Sequence, residues 1–528
     1  MSSANGRQDL SALGVQDLSA LGIQALVDPG KTPTEEQVRV IEAPRRPLLV
    51  VAGAGSGKTE TMSMRVLWLV ANHEDIAPSS VLGLTFTRKA AGELGDRLRQ
   101  RLALLAGRVP SLRERLDEDP VSLTYNSFAE RIVAEHGMRI GIDPDFTMLT
   151  EAGAVDLMTQ IVEGWPTDLD EDLSPSAAVG HCLHLAGEVG EHGYTVEEAR
   201  DALEGFGRDL EQIGATNDTA RKTLRANARR LAYLGPVEEF QRRKREGGLL
   251  DFSDQLVLAT RIVRGASAVR AQVRDEFQAV LLDEFQDTSV IQMELLSLLF
   301  HDHAVTAVGD PNQAIYGWRG ASASSLERFL DRFQDGPAQP GQTLTLSTAW
   351  RNDRNILRAA NRVAAPLREH SRAAKSPVLR ARPGAGEGRV DVAYTQDYRS
   401  ALGAVVDFVS AHRARGTREG KRPTTAVLCR RRSDFPYVDM ALREAGVPTQ
   451  IVGLGGLLDQ PSVQDARAAL VLADDVEASP WLARLLAGID LGAADLVALG
   501  DWARHLAREE GRDPHRAVLL DAVDNPPE

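Results

Sequence analysis

The chain has 528 residues, of which 43% are hydrophobic and 26% are charged, and its formal net charge is −14. The sequence contains no run of about twenty apolar residues, which excludes a membrane-spanning helix. The negative balance excludes a surface coated in positive charge, but not a local DNA groove, because binding follows the local field. Two cysteines without metal-like spacing, Cys182 and Cys429, favour a reduced cytoplasm.

The N-terminal segment contains an octad duplication, in which residues 8–15 are followed by a near copy at 16–23. Two repeats are too few for a solenoid, so we interpret residues 1–30 as a variable leader. From Pro47 onward, short apolar runs alternate with helical patterns. Strands are predicted at 48–51, 81–85, 280–282 and 305–308, and a helix at 59–71. This alternation predicts an α/β fold with a parallel sheet.

Between about Leu102 and Gly248 the pattern is helical and poor in strands, which predicts a helical insertion in the first sheet domain. A Gly- and Pro-rich stretch at 335–342 marks a boundary. A second α/β region is predicted after it, with a strand at Thr425–Cys429. From about Glu477 the pattern is helical again.

A phosphate-binding loop lies between the first predicted strand and helix. Its sequence is Ala52-Gly53-Ala54-Gly55-Ser56-Gly57-Lys58-Thr59. The glycines allow backbone N–H groups to surround phosphate oxygens, and the helix N-terminus adds a positive field. Lys58 is predicted to reach the β- and γ-phosphates of a nucleotide and Thr59 to hold Mg²⁺. The alternative is a plain glycine-rich turn.

A cluster of acidic residues follows the apolar run 280–282, where parallel strands end and ligands bind. Asp283 is predicted to bind Mg²⁺ through water, and Glu284 to orient or deprotonate an attacking water. Alone, an acidic run after a strand is usually a solvated turn. The upstream phosphate-binding loop favours an ATPase site instead.

Five ordered motifs carry a more specific resemblance. They are Thr34-Glu35-Glu36-Gln37, Thr85-Phe86-Thr87-Arg88-Lys89-Ala90-Ala91, Asp283-Glu284-Phe285-Gln286-Asp287-Thr288, the run 309–321 and Trp350-Arg351-Asn352. Together they resemble the Q motif and motifs Ia, II, III and IV of the UvrD/Rep/PcrA-type superfamily 1 DNA helicases. The resemblance covers about residues 30 to 360 and implies two RecA-like P-loop domains that use ATP and Mg²⁺.

The resemblance also implies roles in the nucleotide site. Gln37 would hydrogen-bond adenine, since an amide both donates and accepts. Gln313 would sense the γ-phosphate, and Arg351 would act as an arginine finger. Trp350 stands where the family usually has tyrosine and keeps an aromatic face for stacking on adenine. Packing of Trp350 in the core is the alternative.

The DNA site implied by the resemblance combines aromatic and polar side chains. Phe86, Tyr316 and Trp318 would stack on bases, and Arg319 would approach the backbone of single-stranded DNA. Asn126 stands where the similar motif Ib often has histidine, and its amide can still bind phosphate. The alternative for the aromatic residues is packing in the core.

The resemblance further implies a domain order and a function. Residues 31–105 and 249–338 would form the first RecA-like domain, 106–248 its insertion, 339–476 part of the second RecA-like domain and 477–528 the start of a second insertion. The function would be that of a 3′ to 5′ DNA helicase or translocase in repair or recombination. Its DNA partners would be single strands and single/double-strand junctions.

Two further helicase motifs are not found, and no lysine occurs after Lys421. We therefore expect an incomplete motor that binds Mg²⁺–ATP weakly and hydrolyses it little. The alternative function is a catalytically silent fragment or partner subunit. The run 81–94 and Trp350 resemble the actinobacterial helicase–nuclease subunit AdnB, which implies a partner subunit. Glu419-Gly420-Lys421 resembles a nuclease motif only superficially, since it lies in an Arg- and Gly-rich loop.

Overall fold

The computed structural model describes residues 18–143, 145–167, 169, 173–214, 217–317, 325–334, 341–370, 375–414, 423–452, 461–489, 491–512, 514 and 517–526. The chain divides into two compact units, one ending at Val390 and one starting at Asp391.

Ten strands occur in the described ranges. They are β1 (Leu48–Ala52), β2 (Val81–Thr85), β3 (Val121–Thr124), β4 (Thr147–Met148), β5 (Leu249–Leu250), β6 (Ala279–Leu282), β7 (Val305–Gly309), β8 (Gln342–Leu346), β9 (Thr348–Ala349) and β10 (Arg380–Ala381). Six of them form one sheet in the order β3-β2-β6-β7-β1-β8. Every pairing in it is parallel, which confirms the predicted α/β parallel fold.

Helices cover both faces of this sheet. In chain order the α-helices of the first unit are α1 (Ala20–Val27), α2 (Glu35–Ile41), α3 (Lys58–Asn72), α4 (Arg88–Arg108), α5 (Tyr125–His136), α6 (Glu151–Glu163), α7 (Pro175–Glu191), α8 (Val196–Gln212), α9 (Asp218–Glu246), α10 (Phe252–Gly265), α11 (Ser267–Glu276), α12 (Val290–Phe300), α13 (Ser325–Phe333) and α14 (Arg354–His370). The predicted helix at 59–71 corresponds to α3.

Two apolar cores follow from the period-two alternation of side chains along the strands. Leu49 and Val51 point to a core that contains residues of α5, α10, α11, α12 and α13. Leu48 and Val50 point to the opposite core, which contains residues of α1 to α4. Both faces of the sheet are therefore buried, as expected for a parallel sheet, and ligands can reach it only at the strand ends.

The helical block formed by α6 to α9 has its own apolar core, which includes Met158, Cys182 and Phe240. The short strands β4 and β5 pair in parallel at its two chain connections. Beside β5, the buried amine of Lys244 contacts the carboxylates of Asp251 and Asp254 at the start of α10. This ion cluster joins the end of α9 to the start of α10.

Three elements extend the first sheet domain beyond the boundaries that the sequence suggested. Helix α1, from the segment interpreted as a leader, buries Ala20 and Ile23 in the core with α3 and α4. Strand β3 lies within 106–248 yet pairs with β2, and β8 lies within 339–476 yet pairs with β1. Domain boundaries that include α1, β3 and β8 in the first sheet domain agree with the observed strand pairing and packing.

The second unit is helical in its described part. Its helices are α15 (Tyr398–Ala414), α16 (Phe435–Glu444), α17 (Pro461–Asp474), α18 (Ser479–Ala487), α19 (Ala493–Glu509) and α20 (Leu519–Asp524). The predicted strand at Thr425–Cys429 is wrong, because these residues pair with no strand in the described part of the chain. Val427 packs against Val409 and Leu442, whereas Leu428 is exposed. An alternating run becomes a strand only when a neighbouring strand supplies hydrogen bonds.

None of the described helices combines the length and the apolar character that crossing a membrane requires.

Candidate active site

The loop between β1 and α3 has the shape of an anion site. Gly55 and Gly57 have φ angles of +72° and +81°, in the left-handed region that glycine adopts readily. Gly57 is the N-cap of α3, so unpaired backbone N–H groups at the helix start adjoin the loop. Ser56 is buried, and its hydroxyl has no hydrogen-bond partner within the described ranges. A phosphate in the loop would supply that partner.

Lys58 and Glu284 meet across the sheet although they are far apart in the sequence. Lys58 Nζ lies 2.7 Å from Glu284 Oε2. The side chain of Lys58 is 12% exposed and that of Glu284 is 40% exposed, so the carboxylate is open to the cleft. Glu284 has a φ of +50°, a conformation that costs a non-glycine residue about 1–3 kcal/mol. The ion pair and the turn after β6 hold this carboxylate beside the phosphate-binding loop.

Asp283 is anchored at the end of β6. Its backbone N–H donates to Leu84 O at 2.9 Å, and its carboxylate accepts the Glu284 N–H at 3.0 Å. Burial, reinforced by the charge of Glu284, raises the pKa of Asp283 to about 6. A nearby cation would offset both effects.

The donor set at this edge fits magnesium. Thr59 and Asp283 line the same cleft, and Mg²⁺ prefers oxygen ligands from one or two carboxylates together with substrate phosphates and water. No group of three or more His, Cys, Asp or Glu side chains that could hold a metal ion occurs in the described part of the chain, so phosphates and water would have to complete the ligand set here.

A hydrogen-bond chain leads from Glu284 to the loop after β7. Gln286 Nε2 donates to Glu284 Oε2 at 2.9 Å, and Gln286 Oε1 accepts the Asp310 N–H at 3.0 Å. The Asp310 carboxylate accepts from Gln313 Nε2 at 2.7 Å and from Ser376 Oγ at 2.9 Å. The predicted γ-phosphate sensor Gln313 is thereby joined to Glu284 through two residues to which the sequence had assigned no role.

The predicted adenine residues lie together beside the loop. Gln37 Oε1 accepts the Thr34 N–H at the start of α2, and Gln37 Nε2 donates to Thr61 in α3. A Cβ atom at Gly57 would lie 3.1 Å from Gln37 Nε2 and 3.5 Å from Trp350 Cδ1. Trp350 is 39% exposed. Its exposed ring favours the stacking interpretation over the core alternative.

The segment after β9 covers the phosphate-binding loop. The Trp350 N–H donates to Gly55 O at 2.8 Å. The next residue, Arg351, has its Cβ atom 3.1 Å from the position that a Cβ at Gly55 would occupy. Any side chain at Gly55 would crowd Arg351, so glycine permits the close approach of the Arg351 backbone and Cβ to the loop.

The cleft at this edge of the sheet has a volume of about 510 Å³. It is lined by polar residues from the strand ends and by aromatic residues, among them Thr59, Asp283, Glu284, Gln313, Phe86 and Tyr316. The rings of Phe86 and Tyr316 are nearly parallel, with centroids 6.3 Å apart and an interplanar angle of 8°. Arg97 and Glu93 of α4 also line the cleft, although no sequence motif singled them out.

The other predicted DNA residues are placed differently. Asn126 lies in the first turn of α5, where its amide oxygen accepts from Gln292 Nε2 at 3.4 Å, and it does not line the cleft. Trp318 and Arg319 lie outside the described residues, and so does the segment Glu419–Lys421.

Comparison with known proteins gives consistent matches. The family model of the UvrD/REP helicase N-terminal domain matches residues 33–334. DNA helicase II of Haemophilus influenzae is 26% identical over 93% of this chain and 60% of its own length. DNA helicase II of Escherichia coli is 28% identical over 83% of this chain and 54% of its length. The ATP-dependent DNA helicase UvrD2 of Mycobacterium tuberculosis is 28% identical over 93% of this chain and 64% of its length.

The chain thus spans a little over half the length of these curated relatives. The family match covers more than half of the chain. The matched residues include β1, the phosphate-binding loop, the acidic turn after β6 and the residues that line the aromatic cleft. The chain therefore belongs to the UvrD/REP helicase family.

Proposed function

We propose that this chain is the motor of an ATP-dependent DNA helicase that couples ATP hydrolysis to movement along single-stranded DNA. One observation supports this above all others. A single cleft is lined by Glu284, which contacts Lys58 of the phosphate-binding loop, and by the parallel rings of Phe86 and Tyr316. Such a cleft can hold a triphosphate near a carboxylate and unpaired bases against aromatic faces.

In the proposed reaction, Lys58 leaves Glu284 and binds the β- and γ-phosphates of ATP. The released Glu284 carboxylate orients the attacking water and accepts its proton. Gln286 donates to Glu284 Oε2 at 2.9 Å and limits its rotation. Magnesium held by Thr59 and Asp283 would neutralise charge that develops on the phosphates.

The remaining nucleotide contacts come from the loop on the other side. Gln37 and Trp350 would bind the adenine, because both lie beside Gly57. Arg351 would contribute its guanidinium to the phosphates, since its backbone already adjoins the loop. Gln313 would report the γ-phosphate through Asp310, which it contacts at 2.7 Å.

Single-stranded DNA would bind by stacking on Phe86 and Tyr316, with Trp318, Arg319 and Asn126 added on the strength of the family resemblance. Stacking accepts every base, because each base has a π face. The site therefore suits a translocating motor and not a sequence-specific binder.

Several finer features of the proposal are supported by resemblance alone. They are unwinding with 3′ to 5′ direction, a role in repair or recombination, preference for single/double-strand junctions and a partner subunit like that of the helicase–nuclease AdnB. The names of the relatives describe DNA helicases.

The test measures ATP binding, ATP hydrolysis and oligothymidylate binding by the chain and by its Lys58→Ala variant. Lys31→Ala is the matched control, because Lys31 is exposed and contacts only Asp28 at 2.8 Å among the described ion pairs. We expect the chain to hydrolyse ATP only slowly, and we expect Lys58→Ala to abolish this DNA-stimulated hydrolysis and Lys31→Ala to retain it.

Two results would count against the proposal in different ways. Hydrolysis by Lys58→Ala at the wild-type rate would contradict the assignment of the phosphate-binding loop. Tight binding of both ligands with no hydrolysis by the wild-type chain would favour the alternative of a catalytically silent ATP- and DNA-binding protein.

A further inference from the structure

Three neighbouring strands bring Phe86, Tyr125 and Asp283 to one place. Each of these residues directly follows the last paired residue of its strand, in β2, β3 and β6 respectively. Because β2 lies between β3 and β6 in a parallel sheet, the three strand ends lie side by side, with Phe86 level with Tyr125 and one residue beyond the level of Asp283. At this edge the Tyr125 side chain contacts both an aromatic residue of the cleft and the start of the acidic turn.

Tyr125 contacts both neighbours. Its ring centroid lies 5.3 Å from that of Phe86, at an interplanar angle of 59°. Its hydroxyl donates to Asp283 O at 3.0 Å. The residue is only 3% exposed, and burial raises the pKa of Tyr125 well above its ordinary value. The hydroxyl therefore stays protonated and remains a donor at any working pH.

The accepting oxygen belongs to the peptide group that joins Asp283 to Glu284. The orientation of that peptide plane fixes the starting direction of the Glu284 side chain, which already has a left-handed φ of +50°. Beyond this turn, the Glu284 carboxylate contacts Lys58 at 2.7 Å. A small rotation of the peptide would therefore move the carboxylate relative to the phosphate-binding loop.

We propose that Tyr125 is a positioning residue that couples the aromatic face of the cleft to Glu284. A base stacked near Phe86 shifts the Tyr125 ring, and the hydroxyl transmits that shift to the Asp283–Glu284 peptide. The inference rests on the proposed function, since it requires both a nucleotide and a single strand to bind. Coupling between two sites is reciprocal, so a bound nucleotide must alter DNA affinity by the same factor.

The test measures this factor directly in the full chain. Affinity for a labelled oligothymidylate is determined by fluorescence anisotropy with and without saturating Mg²⁺ and a non-hydrolysable ATP analogue. Tyr125→Phe keeps the ring and removes only the hydroxyl. Tyr194→Phe is the control, because Tyr194 is exposed in the helical block. The ratio of the two affinities is the readout, since a tyrosine that only packs the core would leave this ratio unchanged.

We expect a wild-type ratio that differs from one, typically by about 5- to 150-fold for coupled sites. Loss of one buried hydrogen bond should bring the ratio closer to one by roughly 3- to 10-fold in Tyr125→Phe, with no change in Tyr194→Phe. An unchanged ratio in Tyr125→Phe, or a wild-type ratio of one, would overturn the inference while both ligands still bind. A wild-type chain that binds neither ligand would instead overturn the proposed function.

Discussion

Arg65 of α3 is the side chain whose removal should most disturb the nucleotide site without touching it. It is fully buried, and its Nε donates to Thr306 Oγ1 of β7 at 2.9 Å. The rest of the guanidinium donates to four carbonyl oxygens at and after the end of α2, those of Val40, Ile41, Ala43 and Pro44. Arg65 therefore fixes the helix that carries Gln37 to the helix that follows the phosphate-binding loop.

The expected loss of stability on replacing Arg65 can be worked out from these hydrogen bonds. Arg65→Met keeps the length and apolar stem but leaves the carbonyl groups of Val40, Ile41 and Ala43 without their guanidinium donor, and each such buried group costs about 1–3 kcal/mol. Pro44 O still accepts the Arg46 N–H. Relaxation of the neighbouring backbone and removal of a buried charge offset part of this sum. Losses of stability from a single substitution also rarely exceed about 4–5 kcal/mol. We therefore expect Arg65→Met to lower the free energy of opening of α2 by about 3–5 kcal/mol.

Hydrogen–deuterium exchange of the peptide that covers 35–45 measures this opening. A loss of about 3 kcal/mol corresponds to a decrease in protection of roughly 100-fold or more. Affinity for an ATP analogue should fall in parallel, because Gln37 lies on α2. Arg113→Met is the control, since Arg113 is exposed. Protection within about threefold of the wild type would refute the reasoning, as that difference is below 1 kcal/mol.

Three further predictions concern other sites. Lys244→Met should lower the free energy of unfolding by about 1–3 kcal/mol in urea denaturation, because it leaves the half-buried carboxylates of Asp251 and Asp254 without their cation. An unchanged urea midpoint would contradict this. Burial lowers the pKa of His303, whose Nε2 lies 2.6 Å from Phe277 O. The neutral His303 ring therefore contributes its full stability above the unfolded pKa of about 6.5, and this contribution decreases as the pH falls below that value. His303→Gln should therefore lose less stability between pH 7 and 5 than the wild type, and an identical loss in both proteins would exclude His303 as the cause. Trp350→Ala should weaken binding of an ATP analogue by about 3- to 10-fold through lost stacking, whereas Trp350→Tyr should retain it; equal losses in both variants would argue against a stacking role.

Local sequence patterns predicted the elements that form the centre of the first unit. The predicted strands at 48–51, 81–85, 280–282 and 305–308 agree with β1, β2, β6 and β7 to within one residue at each end. These predictions succeeded because short apolar runs bounded by turns and helices are typical of buried parallel strands. At Thr425–Cys429 the same kind of pattern failed, because a strand also requires a partner that no local pattern specifies.

The sequence by itself determined the chemistry available at the site. Residue types at fixed spacing identified the phosphate-binding loop around Lys58 and the acidic turn that starts at Asp283, because these functions depend on side chains that are neighbours in the chain. The family resemblance, which the comparison supports, also came from such local runs.

Only the tertiary structure decided which of these groups meet. The contacts of Lys58 with Glu284, of Asp310 with Ser376 and of Tyr125 with Asp283 join residues separated by 226, 66 and 158 positions. Such contacts depend on the strand order and on the register of parallel pairs, which are set by packing across the whole sheet. A one-dimensional pattern contains no information on that register, so the connections within the site emerged only when the strands were paired.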